Sequence, residues 1–503
     1  MQINITSWLD SSASKCPDKI AFSDSRSELS YIELQKKAKV IASGLIKMGI
    51  MKDPVAIFMK KGVDVIAAFL GIAYSGNFYS PIDIAMPISR INKVLEILLP
   101  RAIIVEKEFE EEVKTFGYSG EILIWEDMVK GSIDENRVVE VQKKIIDTDL
   151  LYVLFTSGST GIPKGVTITH RAVIDYIDWV TQTLQISEKD SFGNQAPFYF
   201  DNSILDIYST IKSGASCYII PQELFAQPVP LLEYIKSKAI NTIFWVPSAL
   251  IVVSKVKALR NVDLGNVLKR VLFCGEVMPN KQLNIWRSYL PDVQYVNLYG
   301  PTEITDACTY YIVNRNFADE EPLPIGVAMK NTDIIVLNEE NQLVKENEVG
   351  ELCVRGTSLS MGYYRNFSKT REVFVQNPLN KEVPEIIYRT GDLVKYNQYG
   401  ELIYISRKDF QIKHMGHRIE LGEIEVAVSS IPEVNLCCCL YDNKYQKIVL
   451  FIDAELEKSY IIGRIRELIP QYMLPNKVIK MDVMPINANG KIDRVELKKY
   501  INN

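Results

Sequence analysis

Histidine is scarce in this chain, with 3 in 503 residues, and none of the 8 cysteines forms a C-x-x-C pair. Without a cluster of such ligands no zinc site is expected. Cys437, Cys438 and Cys439 are consecutive within an apolar run. In a strand they would point to alternating faces, as packing residues rather than ligands. No apolar stretch is long enough for a membrane span, and Met1-Gln2-Ile3-Asn4 does not open a basic-then-apolar leader. The expectation is a protein without a membrane span, held reduced in a cytoplasmic setting. Long basic runs are also missing: 57 basic residues face 62 acidic ones, for a net charge of −5. That excludes a nucleic-acid partner bound mainly through its phosphates. There is no internal repeat and no low-complexity tract. With 47% hydrophobic and 24% charged residues the composition is that of a globular protein, and 503 residues call for two or three domains.

Apolar runs alternate with helical patterns through the first part of the chain. A short amphipathic helix is predicted from Ile5 to Pro17, a strand at Lys19 to Phe22, and a helix from Ser30 with Glu33 placed for a capping box. Val55 to Met59 reads as a buried strand, and Val63 to Tyr74 as a helix stopped at Gly76. This is the pattern of layered, mostly parallel α/β structure. Residues 1 to about 145 carry no evident chemistry and read as scaffold or partner surface; Glu135 to Asp149 reads as a polar connector. From about Pro324 the runs alternate like antiparallel strands, a β-rich subdomain. After Arg407 a small α+β unit follows, with a helix at Leu421 to Ser430, strands at Leu436 to Tyr441 and Ile448 to Asp453, a helix at Tyr460 to Leu468 and a strand near Lys477 to Met481.

Chemistry concentrates first in Thr156-Ser157-Gly158-Ser159-Thr160-Gly161-Ile162-Pro163-Lys164-Gly165, a loop between two strand-like runs. Glycines let backbone N–H groups approach a phosphate, hydroxyls add donors, and Lys164 adds a point charge. It is not a Walker loop, which needs G-x-x-x-x-G-K-[ST] before a helix. Asp201 follows an aromatic cluster and precedes a helical run. It is either the N-cap of that helix or an anionic anchor for a substrate ammonium. Three strand-like runs end in turn signals at Pro247, Gly275 and Gly300, the arrangement of a parallel-sheet edge where ligand loops gather. Tyr299 offers a flat face to a purine, and Thr302 and Glu303 offer oxygen ligands for Mg²⁺. Asp392 offers two acceptors for ribose hydroxyls. Asn489-Gly490 would project Lys491 from a tight turn.

These segments, in this order, resemble the motif series of the adenylate-forming superfamily over nearly the whole chain, and most of all its stand-alone amino-acid adenylation enzymes. The resemblance implies a large N-terminal domain (1–406), a hinge at 407–409 centred on Asp409, and a mobile C-terminal lid (410–503). It implies ATP and Mg²⁺ as cofactors. Thr156, Ser157, Gly158, Ser159, Thr160 and Gly161 would hold phosphates. Tyr299 would stack on adenine, Thr302 would help bind the cofactor, Glu303 would bind the metal, Asp392 the ribose, and Arg407 would sit near the ribose and phosphate. Lys164, Glu303 and Lys491 would be catalytic, Lys491 reaching the α-phosphate and the substrate carboxylate. Asp201 matches the aspartate that pairs with the α-ammonium of amino-acid substrates.

The side-chain pocket of the family falls here on Asn202, Leu205, Trp245, Leu272, Cys274, Leu298, Asp306 and Ala307. Trp245 would shorten it, favouring a small substrate. Asp306 would face a polar or cationic side chain or be satisfied structurally. Asn194 to Asp201 and Phe273 to Glu276 are most similar to D-alanine–carrier-protein ligases. No phosphopantetheine-bearing serine follows Lys491, so a separate carrier protein is implied as acceptor. The enzyme alternative on the same fold is an acyl-CoA or aryl-CoA ligase, which Asp201 disfavours because such substrates have no ammonium. A binding or scaffold protein that keeps the fold is the non-enzyme alternative.

Overall fold

The computed structural model describes residues 3–158, 161–486 and 492–502. Ser159, Thr160 and Lys491 therefore lie outside the described residues. Two sheets form the bulk of the larger part. The first has six strands in the order Glu121–Ile124, Ala102–Val105, Pro54–Phe58, Phe78–Pro81, Leu150–Thr156, Lys164–Thr169. It is parallel up to Leu150–Thr156, which turns back as an antiparallel hairpin into Lys164–Thr169. The second has nine strands. Its parallel centre runs Gln294–Tyr299, Arg270–Phe273, Thr242–Trp245, Ser191–Asn194, Ser216–Ile219 and Ile20–Ser23.

Helices fill the space between the sheets. Val63–Tyr74 is apolar on every side, and all of it but Asp64 is buried, as expected of a helix surrounded by core. One apolar cluster joins Val55 and Tyr152 of the first sheet to Phe192, Phe244 and Leu272 of the second. Ser30 makes the expected capping box with Glu33 at the start of Tyr31–Lys47. The polar connector is a finding against expectation, since Glu135–Gln142 is a helix. Asp134 caps it and Val138 and Val141 bury one stripe, too narrow a signal among charges to be seen as periodicity.

A five-stranded antiparallel sheet follows, built on Thr332–Leu337, Gly350–Gly356, Ile386–Tyr396, Phe374–Gln376 and Leu402–Arg407. Next come a two-stranded ribbon, Gln411–His414 with His417–Glu420, and a three-stranded sheet, Cys437–Asp442, Lys447–Ile452 and Lys477–Lys480. Cys437 and Cys439 enter one core cluster and Cys438 another, so the cysteine triplet does alternate across the strand. Among the described residues no helix is long and apolar enough to cross a membrane.

Candidate active site

The hairpin loop after Leu150–Thr156 is anchored at both ends, because Thr156 and Lys164 are register partners. Its turn requires glycine at 158, where a Cβ would lie 2.0 Å from the Ile162 carbonyl oxygen. The Gly161 N–H closes the turn onto the Gly158 carbonyl at 2.9 Å. Lys164 leaves the loop nearly buried, 3.4 Å from Glu420 Oε1. Burial, with Arg418 next, pulls the Lys164 pKa below its ordinary value.

Opposite the loop, the strand Gln294–Tyr299 ends in Gly300-Pro301 and a 3₁₀ turn at Thr302–Ile304. Glu303 is fully buried there. Its Oε1 accepts from the Tyr363 hydroxyl at 2.7 Å and its Oε2 from Arg418 Nη1 at 2.7 Å. Burial works against the charge, but Arg418 and Lys164 outweigh it and hold the carboxyl at about 2. Tyr299 donates its hydroxyl to Asp392 Oδ2, and Lys413 Nζ stands 5.4 Å from the centre of its ring. Asp392 Oδ1 accepts from Arg407 Nη1 at 2.9 Å, and Arg407 also forks onto Asp409 at 2.6 and 2.7 Å.

Asp201 precedes the helix Asn202–Ser213 and accepts from the Asn202 N–H at 3.0 Å. It also lines a cavity of about 80 Å³ together with Thr156, Ser157, Asn202, Cys274, Gly300 and Thr302. The cap and the cavity wall are thus one residue. Burial raises its pKa, and a bond from Thr302 opposes the rise.

The pocket residues divide. Asn202 and Cys274 line the cavity, whereas Leu205, Leu272, Leu298 and Ala307 are buried in the main core. Trp245 corrects the sequence expectation of a pocket-shortening wall. Strand alternation puts Phe244 in the cluster of Leu272 and Trp245 in the cluster on the opposite face. Its indole donates to the Gly193 carbonyl at 2.9 Å and meets Phe225 edge-on.

The ribbon of the C-terminal part supplies residues that sequence reading missed. Lys413, Gly416 and Arg418 also line the cavity. The ribbon turns at Met415 (φ 52) and Gly416 (φ 81), the pair of positive φ values that a two-residue hairpin uses. Gly416 N–H donates to Glu276 Oε1 at 3.0 Å, and Ser157 Oγ donates to the Arg418 carbonyl at 2.7 Å. Farther out, buried Arg90 pairs with buried Glu423. The only local hint was the alternation of charged with apolar residues around Lys413 and Arg418.

A family model described as AMP-binding enzyme matches residues 9–364. Tyrocidine synthase 1 of Brevibacillus parabrevis is 30% identical over 501 residues, 98% of this chain but 45% of the synthase. A D-alanine--D-alanyl carrier protein ligase of Listeria monocytogenes is 30% identical over 522 residues and is covered, like this chain, to 100%. The chain thus spans under half the length of the synthase and the whole of the ligase. Among solved structures, the Vibrio cholerae adenylation domain AlmE in complex with glycyl-adenosine-5'-phosphate superposes with a TM-score of 0.85 at 21% identity, over 99% of this chain and 98% of that one. An artificially fused adenylation–PCP di-domain from Klebsiella oxytoca gives 0.82 at 21% identity, over 96% and 95%.

Proposed function

The chain belongs to the AMP-binding enzyme family, and from that premise we propose that it activates an amino acid as its aminoacyl adenylate. ATP would be the co-substrate and pyrophosphate the first product. The acyl group would then pass to the phosphopantetheine thiol of a separate carrier protein. The observation that carries this reading is Asp201, a half-buried carboxylate on the wall of the cavity onto which the phosphate loop also opens. Opposite charges in a desolvated site attract strongly, so Asp201 favours a substrate with an ammonium. The acyl-CoA alternative gives that carboxylate no partner.

The first step is attack of the substrate carboxylate on the α-phosphorus. The protein's task is to hold an anion against a polyanion and to neutralise the developing charge. Lys164 and the loop N–H groups would serve it, and Lys491 would approach the α-phosphate and the carboxylate. Tyr299 and Asp392 would hold the nucleoside. Glu303 suits a divalent cation: a single ionised carboxylate at a phosphate site is what Mg²⁺ prefers. Magnesium, when bound, would offset phosphate charge. Glu303 meets Arg418 here, so the ribbon must withdraw before Glu303 can serve a metal.

The second step needs a different arrangement of the C-terminal part, with the ribbon docked. Residues 407–409 are the proposed hinge between a unit at 1–406 and one at 410–503. A change of φ/ψ at a few such positions suffices for rotation. The 8 cysteines are free thiols and 7 are buried, which suits a reducing cytoplasm. The test is product analysis with ATP, Mg²⁺ and an amino-acid mixture, trapping with hydroxylamine. AMP, pyrophosphate and an aminoacyl hydroxamate support the reading; ADP with inorganic phosphate sinks it.

A further inference from the structure

One helix, Ile88–Leu98, reaches both the loop after Thr156 and the C-terminal part. Its inner face fixes it, since Ile91, Val94, Leu95 and Leu98 pack beside Phe58 and Val153 of the six-stranded sheet. Ser89 Oγ donates to the Glu467 carbonyl at 2.6 Å, and Lys93 Nζ to the Gly161 carbonyl at 3.2 Å. Arg90 lies between them. It is 5% exposed and donates from Nη1 to Glu423 Oε1. Glu423 is 3% exposed, and its Oε2 is buried without a partner among the described residues. Arg90 also lines the cavity with Thr156 and Ser157. A guanidinium beside the phosphate loop is thus held by a carboxylate from another part of the chain.

A second acid of the C-terminal part does the same. Glu420 is the N-cap residue of the helix Leu421–Ser429, and Glu423 lies in its first turn. Residues three apart at a helix start lie on one face. Glu420 Oε1 stands 3.4 Å from Lys164 Nζ, while Glu423 takes Arg90. Two carboxylates therefore meet two cations at the loop. Val426, three residues further on, would be 3.6 Å from a Cβ on Gly161. The Ser157 hydroxyl is occupied too, by the Arg418 carbonyl. With the C-terminal part docked, its oxygens take the two cations and the hydroxyl that a phosphate chain would use. When it withdraws, Arg90 loses its carboxylate. A desolvated charge without a partner is costly, and a planar guanidinium suits phosphate oxygens, two donors at a time.

We propose that Arg90 exchanges partners: Glu423 while the C-terminal part is docked, and the pyrophosphate released in the first step while it is not. Docking and pyrophosphate then compete for one guanidinium, so the C-terminal part closes only over an emptied loop. The assignment rests on the adenylation reading for the source of the pyrophosphate and adds a binding residue to it.

The test is calorimetric titration of the full chain with magnesium pyrophosphate, without nucleotide or amino acid. Glu423→Gln weakens docking and leaves Arg90 free, so pyrophosphate should bind about threefold or more tighter than to the wild type. In Glu423→Gln combined with Arg90→Gln the ion pair is equally absent, but the guanidinium is gone as well. Pyrophosphate should bind this double variant at least about tenfold more weakly than it binds Glu423→Gln, the loss of a hydrogen bond to a charged group. A pair that only fastens the two parts together would leave the two variants alike. AMP should bind both equally, because Arg90 serves the leaving group. Arg90→Lys in the Glu423→Gln background keeps the charge and loses the fork; it should bind pyrophosphate with intermediate affinity, and it decides where the glutamine impairs folding. Equal pyrophosphate affinity with and without Arg90, an equal loss of AMP affinity, or no pyrophosphate binding at millimolar concentration by the wild type and Glu423→Gln would each overturn the assignment. Failure of the adenylation reading is seen separately, as a wild type that forms no aminoacyl hydroxamate.

Discussion

Replacing Arg418 by glutamine removes the cation that meets Glu303 across 115 residues of sequence while keeping most of the side-chain length. The side chains are 15% and 0% exposed. Removing one partner of a buried pair costs about 3–5 kcal/mol, because the other charge is left desolvated. Two features limit the cost here. Tyr363 and Lys164 still face Glu303, and the proposed hinge would let the ribbon swing away and admit water. The penalty is therefore expected in docking rather than in global stability. At about 1.4 kcal/mol per decade, 3 kcal/mol is roughly a hundredfold shift toward the undocked form. Limited trypsin digestion reads it at Lys408 and Lys413, near the junction. Cleavage there should accelerate by one to two orders of magnitude, with the melting temperature of the large part little changed. In Arg418→Gln combined with Glu303→Gln no charge is stranded, so the double variant should dock better than either single variant. Cleavage of Arg418→Gln at the wild-type rate would refute this reasoning. The pair also predicts a pH response. The Glu303 carboxyl lies at about 2, below its ordinary 4.5. Its contribution is therefore complete above about pH 4.5 and lost as pH falls through 2, a loss of about 3 kcal/mol.

Three further substitutions test other parts. Asp201→Ala should abolish amino-acid-dependent exchange and leave the fold intact, at a cost near 1 kcal/mol for the lost cap; the melting curve and the exchange rate separate the two effects, and wild-type exchange would remove Asp201 from the site. Gly416→Ala should weaken ribbon docking, since its Cβ would stand 2.7 Å from Val246 Cγ1 at φ +81; thioester formation should fall at least tenfold with adenylation spared, and equal loss of both contradicts the role of the docked ribbon. Asp206→Asn should stabilise the protein at pH 8. The Asp206 carboxyl is buried, accepts from Asn194 Nδ2 at 2.9 Å, and is pushed up to about 8 by burial. A folded pKa above the unfolded one means that ionisation works against folding as pH rises. The gain in melting temperature should shrink toward pH 4; a lower melting temperature at pH 8 would count against the argument.

Local patterns are legible in the amino-acid sequence. The hairpin loop from Thr156 to Lys164, the capped helix after Ser30 and the alternating cysteine triplet all depend on neighbours along the chain. Asp201 is half legible: cap and cavity wall read as alternatives, and the fold makes them the same residue. Trp245 is misplaced by sequence reasoning because which face a strand residue takes depends on register with the next strand, and the sequence contains no register. Glu135–Gln142 hides its two inward valines among charges. The Arg418 and Glu420 side chains cannot be assigned from sequence at all, since their partners Glu303 and Lys164 are 115 and 256 residues away. Such pairs exist only once the C-terminal ribbon is set against the loop between Thr156 and Lys164.

Activation of an ammonium-bearing carboxylate by transfer of AMP is measured most directly by ATP–pyrophosphate exchange with matched pairs, each amino acid against its deamino analogue, such as alanine against propionate. Exchange that requires the α-amino group, and that disappears in Asp201→Ala, is the predicted result. Exchange supported equally by the deamino acids, or by them alone, would contradict the assignment of Asp201 and leave an acyl ligase in its place.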